Sequence, residues 1–225
     1  MTQPHLRGNR RVPNVDFTLY DRLHPYGREL ILAWFRKAVD GIASGQGDSF
    51  ESFMYTWLSL NAWAACVTDE DSDSLWQAAI GRNEELSRNF ILLMNNDEDF
   101  RQSVTQFYGH WPIFQVKSIR ERYPRYFRFD QQSTREEMRG VLLRARVRHD
   151  PWPWNPTAAV EWGSVVSVLS RVRNNLFHGQ KSPYDASDQE IVRASLNVLV
   201  LYIAKTNLYG IYNIKEILTK LEGGE

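Results

Sequence analysis

The sequence predicts an all-α fold. Apolar residues recur at helical spacing in four long segments, near residues 26–42, 50–65, 156–177 and 187–203. No segment alternates apolar and polar residues as a half-buried strand does. The chain has 225 residues, of which 43% are hydrophobic and 24% charged, which is long enough to bury a core. Together these observations indicate a helical bundle.

The first 25 residues predict an N-terminal arm rather than part of the core. They are polar and are interrupted by Pro4, Pro13 and Pro25. Residues 26–225 then form a helical domain with an insert at about 69–150.

The first two helices of the domain have clear boundaries. A helix over 26–42 ends at the glycine-rich stretch GIASGQGD. Ser49 is placed to cap the second helix, whose broad apolar stripe from Phe50 to Ala65 predicts a central position in the bundle. Shorter helices are predicted near 74–80, 84–95 and 98–108, and their polar composition leaves their burial open.

The insert continues with a loop-rich stretch, because residues 110–130 mix aromatic and basic side chains without a period and contain Pro124. Ser133 and Glu136 then form a capping box before an Arg-rich helix that PWPWNP ends.

The last third of the chain predicts three helices. Asn155 and Pro156 suit the N-cap and first residue of a long helix, and Gly179 suits its C-terminal cap. Ser187 is placed to cap a very apolar helix, and a short amphipathic helix follows at 214–222. The core stripe of the long helix consists of Val165, Leu169, Val172 and Leu176.

Cysteine usage and hydropathy exclude several classes of protein. Cys66 is alone, so the chain has no intrachain disulfide, and no cluster has metal-ligand spacing. We therefore expect neither a metal nor a cofactor. The longest apolar run, LNVLVLYIA at 196–204, is shorter than the roughly 20 residues that cross a bilayer. A cytoplasmic protein without a membrane segment is the resulting expectation.

The charges balance overall, with 27 basic and 27 acidic residues, but they are unevenly distributed. Residues 69–99 are strongly acidic, whereas residues 117–148 are rich in arginine and aromatic residues. Arg144 and Arg146 are candidates to bind RNA phosphates there. An aromatic stretch of this kind equally serves to pack an insert onto a bundle, and the sequence leaves both alternatives open.

The stretch SRVRNNLFHGQKSP, residues 170–183, contains the one candidate catalytic motif. At about 100° per residue, Arg173, Asn174 and His178 lie on an arc away from the predicted core stripe. Phe177 lies on the same arc, and an apolar ring on an outward face predicts contact with a second subunit. Alternatively, these polar side chains only finish a helix, since cationic groups near a C-terminus are favourable in any helix.

This RxxxxH pattern, together with Gly179 and the apolar helix after it, resembles the HEPN superfamily of all-α domains. The earlier stretch FMYTWLSLNAWAA is similar to the aromatic helix that many members place against the motif helix. The resemblance covers roughly residues 26–65 and 156–208. It implies a homodimeric ribonuclease in which two motifs face each other, and a toxin or antiviral defence effector that an antitoxin or other regulatory partner restrains.

The side-chain chemistry agrees with what the resemblance implies. His178 suits a general base that takes the 2′-OH proton of RNA, because its ordinary pKa of about 6.5 lies near working pH. Arg173 suits the stabilisation of charge on the attacked phosphate, and Asn174 suits the orientation of His178 or contact with RNA. Lys181 joins Arg144 and Arg146 as a candidate RNA-binding residue. The alternatives are a non-catalytic HEPN-like module that binds RNA or nucleotide or only dimerises, and a helical interaction protein.

Overall fold

The computed structural model describes residues 11–45, 47–110, 159–177 and 184–222, and these residues form an all-α fold. No strand occurs within these ranges. We number the helices of the described residues in chain order. They are α1 (Phe17–Asp21), α2 (Pro25–Ala43), α3 (Ser49–Thr68), α4 (Asp73–Arg82), α5 (Glu84–Asn96), α6 (Glu98–Gly109), α7 (Trp162–Phe177), α8 (Ala186–Thr206) and α9 (Ile214–Glu222).

Helix α3 has the central position that its broad apolar stripe predicts. It packs against α1, α2, α4 and α8. Its aromatic side chains Phe53, Trp57 and Trp63 are almost completely buried. A side-chain hydrogen bond from Ser59 Oγ to the backbone oxygen of Ile31, at 2.8 Å, joins α3 to α2 within the core.

The acidic segment after α3 contributes to the same core, which settles the question of burial. Helices α4, α5 and α6 begin with acidic residues, yet Trp76, Phe90 and Phe100 are fully buried. These helices therefore expose their carboxylates on one side and bury aromatic rings on the other.

Helix α7, which carries the motif, packs mainly on α4 and also contacts α5 and α8. The two helices approach closely where Gly81 and Gly163 meet: a Cβ atom built on Gly163 lies 2.7 Å from the backbone oxygen of Gly81. Next to this crossing, Trp162 Nε1 donates a hydrogen bond to the backbone oxygen of Ile80 at 3.1 Å. Only residues without side chains allow helices to come this close.

Helix α8 packs on α3 and α6 and also contacts α7. The ring of Tyr202 stacks on Trp162 with centroids 4.0 Å apart, and its hydroxyl donates to the backbone oxygen of Leu86 at 2.9 Å. Lys205, which is 12% exposed, pairs with Asp97 at 2.6 Å and ties α8 to the start of α6.

Several predicted helix starts are wrong by a few residues. The side chain of Asp48, not Ser49, caps α3, and that of Asp185, not Ser187, caps α8. Helix α7 begins at Trp162 and residues 159–161 are not helical, so the predicted continuous helix from Pro156 to Phe177 is wrong over these three residues.

The segment predicted to be an irregular arm contains α1 among its described residues. Tyr20 is buried, Phe17 packs on Trp63 with ring centroids 6.1 Å apart, and the backbone of Asp16 donates to the backbone oxygen of Val67 at 2.7 Å. This part of the chain is therefore held on α3.

Other predictions lie outside the described residues: the loop-rich stretch after His110, the Arg-rich helix after Ser133, the turn PWPWNP, and the capping roles of Asn155 and Gly179. None of the helices that the structure describes has the length and apolar character needed to span a membrane.

Candidate functional site

Arg173 is less exposed than its position on the outward arc predicts. Its side chain is only 14% exposed, so the expectation that it lies away from the packed interior is wrong. A helical angle taken from one core stripe does not account for the packing of α7 on α4, which is its main neighbour. Arg173 faces α4.

Arg173 is held by two polar partners. Its Nη2 forms an ion pair with Asp73 Oδ2 at the start of α4, and its Nη1 donates to Asn174 Oδ1 at 2.9 Å. Asp73 is 46% exposed, so solvent reaches the pair from the side of the carboxylate. The ion pair joins α4 to α7, and its two residues are 100 positions apart in the sequence.

Two aromatic rings flank the guanidinium. Its Cζ lies 5.1 Å from the ring centroid of Trp57 on α3 and 5.4 Å from that of Phe177, one turn along α7. Cation–π contacts of this kind contribute about 0.5–2 kcal/mol each, with the larger values where water is excluded. The rings therefore fix the position of a cation that α7 alone would leave free to move.

Two buried donors in this cluster have no acceptor among the described residues: Arg173 Nε and Trp57 Nε1. A buried polar group without a partner costs about 1–3 kcal/mol relative to one that is hydrogen-bonded. The site is thus folded around a cation whose hydrogen-bonding capacity is only partly used.

The two consecutive asparagines have different environments. Asn174 is half-buried, and its Oδ1 accepts from Arg173. Asn175, which the motif did not single out, is buried. In this arrangement Asn174 orients the arginine, and its predicted contact with His178 stays a prediction.

Phe177 has the exposed position predicted for an interface residue. Its side chain is 59% exposed, although one part of the ring covers Arg173. Tyr184, the next described residue, is 95% exposed. In the sequence, these two exposed aromatic residues stand directly before and directly after residues 178–183, which begin with the motif histidine.

The remaining predicted site residues, namely His178, Lys181, Arg144 and Arg146, lie outside the described residues. The structure brings Arg173, Asn174 and Phe177 together and adds Asp73 and Trp57, which the motif does not contain. The acidic character of residues 69–99 was the only sequence signal for Asp73, and it does not identify which carboxylate contacts the arginine.

The described part of the chain has the features of neither a metal site nor a reactive cysteine. No group of three or more His, Cys, Asp or Glu residues there is arranged to hold a metal ion. Burial raises the pKa of the Cys66 thiol, which is the environment of a core cysteine rather than of a reactive one.

Comparison with known proteins identifies no relative. No family model, no curated protein and no solved structure matches this chain.

Proposed function

We propose that this protein is a metal-independent endoribonuclease of the HEPN type, with Arg173 as the phosphate ligand and His178 as the general base. The observation that carries the proposal is the environment of Arg173. It is a cation held in place by aromatic rings at the end of a helix, beside a solvent-exposed carboxylate, five residues before a histidine in the sequence. Such a cation is suited to an anionic ligand.

In the proposed reaction His178 removes the proton of a ribose 2′-OH, and the resulting oxygen attacks the adjacent phosphorus atom. The bond from phosphorus to the 5′-oxygen breaks, the leaving oxygen takes up a proton, and one product ends in a 2′,3′-cyclic phosphate. The guanidinium of Arg173 stabilises the negative charge that builds on the phosphate during attack. DNA lacks the attacking hydroxyl, so RNA is the substrate.

A homodimer completes the proposed site, with Phe177 and Tyr184 on the contact surface. Their exposure of 59% and 95% supports this part of the proposal, because aromatic residues are favoured in subunit interfaces. The biological role proposed with this activity is that of a toxin or antiviral defence effector in the cytoplasm, restrained by a regulatory partner.

The test is cleavage of end-labelled single-stranded RNA by the purified full-length protein in excess chelator. Arg173→Lys keeps the charge but removes the planar fork of donors, and His178→Ala removes the base. We expect each to slow cleavage by about 10²- to 10⁴-fold, the usual effect of losing an acid–base group or a charge stabiliser. His110→Ala, at the end of α6, is the matched histidine control and should cleave at the wild-type rate.

Absence of a cyclic phosphate end, or equal cleavage by wild type and His178→Ala, would refute this mechanism. A folded dimer that binds RNA without cutting it would instead favour the second candidate, a non-catalytic HEPN-like module. One observation favours that alternative: the contacts of Arg173 with Asp73 and Trp57 are also those of a residue whose task is to fasten α7 to its neighbours.

A further inference from the structure

Asp73 is held on α4 independently of Arg173. It is the first residue of the helix, where backbone N–H groups favour a negative charge. Its Oδ1 accepts a hydrogen bond from Trp76 Nε1, three residues later, at 3.3 Å. The carboxylate therefore keeps a fixed position at the protein surface, with its second oxygen directed to Arg173.

A carboxylate and a phosphate bind a guanidinium in the same way, through oxygens that accept from its parallel N–H groups. Nη2 of Arg173 is paired with Asp73, and Nη1 with Asn174. A phosphate that binds both Nη groups of Arg173 in this way must therefore compete with Asp73 for Nη2. It must also approach a negative charge, which repels it.

We propose that Asp73 acts as an internal substitute for the RNA phosphate and holds Arg173 in a closed, charge-neutral state until a phosphate displaces it. This inference rests on the proposed role of Arg173 as a phosphate ligand. It assigns to Asp73, at the start of α4, the task of restraining the site at the end of α7.

The exposure of the pair indicates how the exchange takes place. Arg173 is 14% exposed and Asp73 46%, so an incoming phosphate reaches the pair on the side of the carboxylate. In the closed state Arg173 Nε has no acceptor within the part of the chain that the structure describes. Movement of the guanidinium toward a phosphate offers this donor an oxygen, which favours the exchange.

The test compares Asp73→Asn with Asp71→Asn in the full-length protein. Both remove one negative charge from the same loop and helix start, but only Asp73 contacts Arg173. Asparagine keeps an oxygen that accepts from Trp76 Nε1. If Asp73→Asn does not fold, Asp73→Ser replaces it, because serine is also neutral and its hydroxyl oxygen can accept a hydrogen bond.

The first measurement is the rate at which an arginine-specific dicarbonyl reagent modifies Arg173, followed by mass spectrometry. We expect faster modification in Asp73→Asn than in wild type and no change in Asp71→Asn. The second is the affinity for a single-stranded 2′-O-methyl oligonucleotide, which cannot be cleaved by 2′-OH attack. We expect Asp73→Asn to bind roughly twofold to fivefold more tightly, the effect of removing one competing, partly exposed ion pair.

Unchanged reactivity of Arg173 in Asp73→Asn, or unchanged or weaker binding, would overturn the inference. The two proposals fail separately in these experiments. If wild type cleaves RNA but Asp73→Asn gains neither reactivity of Arg173 nor affinity for the oligonucleotide, the proposed restraint is wrong and the proposed nuclease activity stands. Faster modification and tighter binding without any RNA cleavage support the restraint and reject the nuclease.

Discussion

The crossing of α4 and α7 provides the sharpest test of the fold, because it depends on two glycines. A Cβ atom on Gly163 lies 2.7 Å from the backbone oxygen of Gly81, a distance that real Cβ atoms essentially never reach. The obstacle is backbone and cannot rotate away, so Gly163→Ala must push the helices apart. Overpacking of this kind costs about 1–3 kcal/mol.

Part of that cost is offset, since alanine favours a helix over glycine by up to about 1 kcal/mol. The net loss is centred on about 1 kcal/mol. For a chain of 150–250 residues each kcal/mol lowers the unfolding temperature by about 2–4 °C. We therefore expect Gly163→Ala to unfold about 2–4 °C below wild type in a thermal scan followed by circular dichroism.

The chain supplies two matched controls for this substitution. A Cβ atom on Gly81 lies 3.2 Å from the Cα of Gly163, so Gly81→Ala should have an intermediate effect. A Cβ atom on Gly109 meets nothing within 4 Å, so Gly109→Ala should be neutral or slightly stabilising. If Gly163→Ala and Gly109→Ala unfold at the same temperature, the close approach of α4 and α7 is incorrect.

Three further predictions concern single contacts. Burial favours the neutral acid of Asp97, but hydrogen bonds from Lys205 and from the start of α6 outweigh it and lower its pKa. The stability that this carboxylate contributes is therefore present above its unfolded pKa of about 3.9 and is lost as pH falls through the folded value. Lys205→Met should cost about 1–3 kcal/mol in urea unfolding at pH 7 and flatten the loss of stability below pH 4, and equal acid profiles would contradict this. Burial raises the pKa of Tyr108 to about 12, although its hydrogen bond to Ser164 opposes the shift, so stability should fall as pH rises from about 10 to 12. Tyr108→Phe should remove that fall in alkaline unfolding experiments, and an unaltered profile would refute the assignment. Phe177→Ser should change the free energy of unfolding of the monomer by less than about 1 kcal/mol, since the ring is largely exposed in the single chain, and a larger loss in the monomer would mean that Phe177 is a core residue.

The helices were predictable because their signal is local. The apolar stripe of α9 predicted its exact range, 214–222, from nine residues. The caps were less predictable, since aspartate and serine stand next to each other or nearly so at the starts of α3 and α8. Either residue can cap a helix, and only the direction of the chain before it decides which side chain meets the free N–H groups.

The site was predictable only in part, because a helical angle describes one helix and not its neighbours. The angle placed Phe177 on an exposed surface, and its ring is indeed exposed. It placed Arg173 there as well, yet Arg173 meets Asp73 and Trp57 on two other helices. Both contacts join residues that are distant in the sequence, so the spacing of residues within α7 cannot predict them.

The glycine crossing and the restraint on Arg173 belong to one arrangement of helices. Gly81 lies near the end of α4 and Gly163 near the start of α7, whereas Asp73 starts α4 and Arg173 lies near the end of α7. The helices are thus antiparallel. At about 1.5 Å per residue, the two contacts are separated by roughly 12 Å along α4 and roughly 15 Å along α7, so the close approach at one end fixes how the charges meet at the other.

The restraint also has a consequence for the salt dependence of RNA binding. A phosphate contact by a free arginine releases a bound counterion and adds about −0.7 to the slope of log affinity against log salt for a single strand. In wild type, Asp73 already neutralises Arg173. When a phosphate displaces Asp73, the RNA releases one counterion and the freed carboxylate binds one, so the contact between Arg173 and the phosphate should add little to the slope. In Asp73→Asn the slope measured with the 2′-O-methyl oligonucleotide should become steeper by about 0.7. Equal slopes in the two proteins would mean that Arg173 does not exchange Asp73 for a phosphate.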